Sequence, residues 1–339
     1  MNRKERFMRQ LEGKSVDMTP VGSTTTYGVV DIMKKCGAER PLADTDPQAM
    51  ATLALGGVEY AGFEWAKAMG WDITPLSEAF GCELGEAKID RQHSIASHPF
   101  AESIEDLEKP KDLLQRGRFP AYKEQFKILK DKVNDEMVIF GESEGPFTCG
   151  ANLVGTESFM KWTFKKPNQV DQVLSVVKEG MIEVINFAFD HGADYYVIAE
   201  PTSGPALMSP KSWKKHVQPV IAEIVQKIKG PLVLHICGNT DSIIEMMCET
   251  GVAGISIEEK VNLKQAVETA DKMGVKVFGN VGTAQTLYSG TPEQAYQESI
   301  AALENGTHFL CPACGVAPLS PLENVQQLRK ARDDYFKKG

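Results

Sequence analysis

Residues 231–259 read PLVLHICGNTDSIIEMMCETGVAGISIEE, and the order of elements in this stretch decides the fold. Pro231–Cys237 is an apolar, β-branched run of strand length. Residues 242–250 carry a helical pattern that stops at Gly251, and Gly254–Glu258 starts a second apolar run. A strand, a helix and a strand in close succession form a parallel crossover unit. The same beat continues on both sides. Further strands are predicted at Met137–Glu142 (MVIFGE), Asp194–Glu200 (DYYVIAE), Lys276–Val281 (KVFGNV) and His308–Cys311 (HFLC). Helices are predicted over 168–191, 212–229, 263–273 and 292–305, and Gly192, Gly230, Gly274 and Gly306 follow them as helix C-termini favour. Two weaker strands are expected at Thr19–Ser23 (TPVGS) and within 63–74. Eight strands in an α/β beat predict a closed (β/α)8 TIM barrel.

The length of 339 residues suits one such barrel, which takes about 250 residues or more. A single domain over 1–339 is expected, with a helical extension over 1–16, its helix near Arg3–Leu11. An elaboration over 82–118, where no strong period runs, is expected to hold a short hairpin. Hydrophobic residues make up 42% and charged ones 24%, which excludes disorder as the main state. Lys and Arg number 37 against 46 Asp and Glu. The net charge of −9 argues against a nucleic-acid partner or an anionic membrane surface. No apolar run approaches the ~18 residues of a spanning helix, and the opening MNRKERFMRQLEGK lacks a signal peptide's apolar core, so a cytoplasmic protein is expected. Seven cysteines, an odd number spread over a large chain, fit reduced thiols or metal ligands better than a disulfide framework.

The C-terminal ends of barrel strands build active sites, and polar residues collect there in this chain. His235 and Cys237 stand two apart on a strand, so both side chains leave one face. An imidazole nitrogen and a thiolate suit zinc; a buried histidine beside an inert cysteine is the competing reading of the pair alone. Cys311 and Cys314 form a CxxC with no second CxxC to make a zinc ribbon, and it follows the last strand rather than opening a helix after the first, as a redox pair would. Cys314, past the strand end, is taken as the third ligand. Cys311, still in the strand, is taken as a packing residue facing the helical layer. Cys36, Cys82, Cys149 and Cys248 have no histidine nearby and read as small apolar residues. His93, His98, His191 and His216 read as surface or capping residues. Glu142, Glu200, Asn239 and Asn280 end strands or follow them, and are candidate substrate-binding residues; for the two glutamates, a solvated place at the rim is the alternative.

These residues also carry a resemblance. LHICGN (Leu234–Asn239), ISIEEK (Ile255–Lys260), FGNV (Phe278–Val281) and PACGVAPLSPLENV (Pro312–Val325) resemble the methylcobamide:coenzyme M methyltransferases of the uroporphyrinogen decarboxylase superfamily. SFMKWTFKK (Ser158–Lys166), DLLQRGR (Asp112–Arg118) and the opening KERFMRQLEGKSVDMTPV extend the likeness along nearly the whole chain. The resemblance implies a (β/α)8 barrel with Zn2+ on His235, Cys237 and Cys314, and Glu258 as a labile fourth ligand whose departure opens a catalytic position. It implies methyl transfer from a methylcobamide, carried on a separate corrinoid protein, to a small thiol, coenzyme M. Two positions depart from the pattern. Glu200 stands where the family often has aspartate, and Ser23–Tyr27 lacks the arginine of true porphyrinogen decarboxylases. The alternatives weighed against this reading are a metal-free decarboxylase and a non-catalytic corrinoid-protein docking module with a structural zinc.

Overall fold

Seven short strands, buried along nearly their whole length and separated by helices, line up in chain order. The computed structural model describes residues 1–337. Its strands are β1 (Trp65–Lys67), β2 (Val138–Glu144), β3 (Tyr195–Ala199), β4 (Leu232–His235), β5 (Gly254–Ser256), β6 (Lys276–Val281) and β7 (Phe309–Pro312), each paired in parallel with the next. Parallel strands covered on both faces are expected to read as apolar runs, and these do.

The expected eighth strand is cut to a bridge. Val21 pairs with Leu310, with Gly22 N donating to Leu310 O and Leu310 N to Pro20 O. On its other side, Glu64 N donates to Val21 O. Both edges of the sheet therefore bond to residues 20–22, but no ladder grows from there. Pro20 has no N–H. The Val21 N–H donates to the Glu64 carboxylate, and the Ser23 carbonyl accepts the Trp65 indole N–H. Side chains have taken the groups a longer strand would pair.

The helix predicted over 212–229 is two helices, Pro210–His216 and Gln218–Lys227, divided where Pro219 starts a new first turn. The hairpin expected in 82–118 appears as two antiparallel bridges, Leu84 to Ile95 and Lys88 to Arg91. The expected N-terminal helix is α1 (Arg3–Leu11). Its Phe7 enters the inner face of the sheet, with ring centroids 5.0 Å from Trp65, 4.8 Å from Tyr195 and 4.7 Å from Phe309.

The inner face explains where the chemistry sits. Trp65, Phe140, Val233, Phe278 and Phe309 pack around Phe7. Alternation along each strand then puts Lys67, Glu142, His235 and Asn280 on the same face, one step nearer the strand ends. Cys311 belongs to this inner apolar cluster and is fully buried there. The expectation that it faces the helical layer is thus corrected: its register with Asn280 places it inward. No helix among the described residues is long and apolar enough to cross a membrane.

Candidate metal centre at the strand ends

His235 closes β4, Cys237 follows it by two residues, and Cys314 stands two residues beyond β7. The structure brings the three together from opposite ends of the C-terminal half. Cys237 Sγ lies 3.3 Å from His235 Nε2 and 3.7 Å from Cys314 Sγ, and one donor atom from each residue falls within 4.8 Å of the others. Bonds of about 2.3 Å to sulfur and about 2.0 Å to nitrogen in a tetrahedron put two sulfurs about 3.8 Å apart and a nitrogen about 3.5 Å from a sulfur. The observed spacings fit that donor set. His235 is buried and the two cysteines are half-buried.

Electrostatics favour a shared negative charge. Cys314 is pulled well below the ordinary thiol range by the hydrogen bond from Cys237, against its burial, with His235 adding to the pull. Cys237 is correspondingly pushed up, first by that same bond. Burial works to lower His235, and the Cys314 charge, its hydrogen bond to the ring and the charges of Glu142 and Glu258 together outweigh this and raise it. The other ring nitrogen, Nδ1, lies 3.1 Å from Ser256 Oγ, which accepts a further hydrogen bond from Thr24 Oγ1 at 3.2 Å.

The comparisons with known proteins bear on this site. The family model described as uroporphyrinogen decarboxylase (URO-D) matches residues 2–335. The methylcobamide:CoM methyltransferase MtaA of Methanosarcina barkeri is 39% identical over 98% of both chains. The MtbA methyltransferase of the same description from Methanosarcina acetivorans is 32% identical over 98% of both. The chain belongs to the uroporphyrinogen decarboxylase family, in its methylcobamide:coenzyme M methyltransferase branch. A solved methyltransferase from Methanosarcina mazei superposes on this family member with a TM-score of 0.96 at 38% identity, covering 99% of each chain.

The remaining candidates take different places in this member of the family. Glu258, two residues past β5, is half-buried and is a charged neighbour of His235 and Cys237, but it lies outside the close three-residue group. Its carbonyl accepts from Asn280 Nδ2 at 3.1 Å, so Asn280 braces the end of β5. Glu142 is not solvated at the rim. It is buried on β2, with Lys67 Nζ 2.9 Å from Oε2; burial pushes its pKa up and Lys67 pulls it down. Glu200 is also buried rather than solvated, and its carboxylate is occupied. It accepts from Phe147 N at 2.7 Å, Thr148 N at 2.9 Å and Thr148 Oγ1 at 2.7 Å, capping the helix Pro146–Val154. Asn239 is exposed, and its Oδ1 accepts from Asp241 N in a turn.

Sequence reasoning missed Lys67, Ser256 and Thr24. The only signal for Lys67 was its place two residues after Trp65 in a strand whose limits were open. A second polar group, Asp44, Asp72 and His93, also converges. Arg40 already pairs with Asp44 at 3.2 Å and Arg118 with Asp72 at 2.7 Å, so those carboxylates are neutralised.

Proposed function

We propose that this chain moves a methyl group from a methylcobamide, carried on a separate corrinoid protein, to a small thiol, coenzyme M, with zinc held by His235, Cys237 and Cys314. One observation carries the reading: in a chain 39% identical to a methylcobamide:CoM methyltransferase, one nitrogen and two sulfurs converge at zinc-ligand spacing at the strand ends. The same reading takes residues 1–339 as one (β/α)8 barrel domain whose eighth strand has shrunk to residues 20–22.

Bound there, zinc supplies the Lewis acidity that keeps the acceptor sulfur, of ordinary pKa about 8.5, as a nucleophilic thiolate at neutral pH. Every other part falls to the chain. Cys237 and Cys314, as thiolates, would balance the two positive charges of such an ion, so that an acceptor thiolate would keep its electron density. Glu258 is assigned as the displaceable carboxylate, since it stands near the trio without belonging to the tight group. The aromatic layer around Phe7 floors the site and keeps water from below. In the transfer a carbon–sulfur bond forms and the carbon–cobalt bond breaks. Both electrons of the broken bond remain on cobalt as cob(I)amide, and the thiol proton is released. The protein aligns sulfur, carbon and cobalt, a contribution that proximity effects can raise to several kcal/mol, of order 7 or more at best. Asn280, by holding the end of β5, keeps Glu258 within reach.

The test is to measure zinc content and then follow methylcobalamin under anoxic conditions with coenzyme M, homocysteine and tetrahydrofolate in turn. The expected result is cob(I)alamin formation with coenzyme M, and loss of zinc and turnover together in Cys314→Ala. A full zinc complement with no turnover on either thiol would overturn the reading.

A further inference from the structure

The segment that joins the two edges of the sheet does more than fill a gap. Beyond the bridge at Val21 it runs on as Gly22–Tyr27, fully or nearly fully buried, and it touches the supports of two of the three proposed ligands. Thr24 Oγ1 donates to Ser256 Oγ at 3.2 Å, and Ser256 Oγ lies 3.1 Å from His235 Nδ1. Thr26 O accepts from Val316 N at 2.9 Å, two residues past Cys314. We propose that Ser256, held by Thr24, is the positioning residue that fixes the rotation and tautomer of His235 so that Nε2 presents its lone pair to the metal. This rests on the zinc reading above.

The two imidazole nitrogens have separate neighbours: Nε2 faces Cys237 Sγ and Nδ1 faces Ser256 Oγ. A neutral imidazole carries one proton. For Nε2 to act as a donor atom to a metal, that proton must sit on Nδ1, and Nδ1–H then donates to the serine oxygen. With Thr24 donating as well, both lone pairs of that oxygen are filled. The position of the hydroxyl comes from the sheet itself, because His235 and Ser256 are direct partners in the β4–β5 register. Thr24 and Ser256 are both fully buried, so no bulk water competes for the ring.

The choice of a hydroxyl has an electrostatic consequence. A metal-bound histidine often donates its second N–H to a carboxylate or a backbone carbonyl. A carboxylate here would add a negative charge beside two cysteinates. Serine gives the same direction to the ring with no charge, leaving the site's balance to the cysteines, Glu258 and the thiol. Thr24 brings the hydroxyl under control of the segment that bonds both sheet edges. Ligand orientation is thereby tied to closure of the sheet.

The experiment uses the full chain with Ser256→Ala, Ser256→Thr and Thr24→Val. Zinc affinity is measured by competition with a chromophoric chelator, and the His235 tautomer is read from long-range proton–nitrogen NMR of zinc-free protein at a pH where the ring is neutral. Ser256→Ala should bind zinc about 10–100-fold more weakly and show a mixture of His235 tautomers in place of the Nδ1–H form. Thr24→Val should shift both readouts the same way by less, and Ser256→Thr, which keeps the hydroxyl, should restore them. Wild-type zinc affinity in Ser256→Ala together with an unchanged Nδ1–H signature would overturn the proposal. Should wild type itself bind no zinc, the function reading fails, and the tautomer measurement still decides the role of Ser256.

Discussion

Lys67 and Glu142 face each other where neither reaches water. Both are buried to within 1% of full burial, and Lys67 Nζ lies 2.9 Å from Glu142 Oε2. The ammonium donates to Gly70 O at 2.9 Å, while the Glu142 oxygens are left without an aligned hydrogen bond. The pair is therefore held by charge more than by hydrogen-bond geometry. Breaking a buried pair by removing one partner typically costs 3–5 kcal/mol, roughly, because the other charge is stranded. Lys67→Met should lower stability to urea by about that amount, and Lys67→Met with Glu142→Leu should recover most of it. Equal losses in the single and double variants would show that the cost lies in packing instead. The same pair marks the limit of what single residues disclose in the sequence. His235, Cys237 and Cys314 were legible because their side chains are selective for metals and their positions follow strand ends. A serine has no such selectivity, and the partnership of Ser256 with His235 exists only once β4 and β5 are in register.

Helix ends show the element scale at work. Pro146–Val154 begins with N–H groups that have no partner inside the helix, and Glu200 supplies the acceptor from the end of β3. Burial pushes the Glu200 pKa from the ordinary 4.5 up to about 7, against the hydrogen bonds from Thr148 and the helix N-terminus. The folded state then holds a proton that the unfolded chain has already lost between those values. Stability from this group is fully present below about 4.5 and is lost as pH rises through about 7. Relative to wild type, Glu200→Gln should gain on the order of 2 kcal/mol of stability between pH 5 and pH 8, read by denaturant unfolding at both values. A difference that stays flat or moves the other way contradicts this placement of the proton. The strand–helix beat over the C-terminal two thirds was legible because each strand is a full apolar run and each helix carries its own stop. The division at Pro219 was missed because both halves keep one apolar periodicity. The bridge at Val21 was over-read as a strand, since only the structure reveals that Glu64 and Trp65 side chains take its hydrogen-bonding groups.

At the scale of the molecule, the sheet has two ends with different tasks. Phe7 and its aromatic neighbours fill one end, and the polar groups above them open toward the strand ends. The polar end is marked in the sequence by its histidine, cysteine and glutamate side chains, whereas the amphipathic helix α1 does not reveal from sequence alone what its Phe7 plugs. His235, Cys237 and Cys314 are proposed to hold zinc with one position open to a thiol. X-ray absorption at the zinc edge measures this directly, before and after coenzyme M is added to the zinc-loaded protein. Two sulfur neighbours beside nitrogen and oxygen are expected at first, and three sulfurs with the oxygen contribution diminished after the thiol arrives. A zinc environment that keeps two sulfurs in the presence of saturating coenzyme M would contradict this.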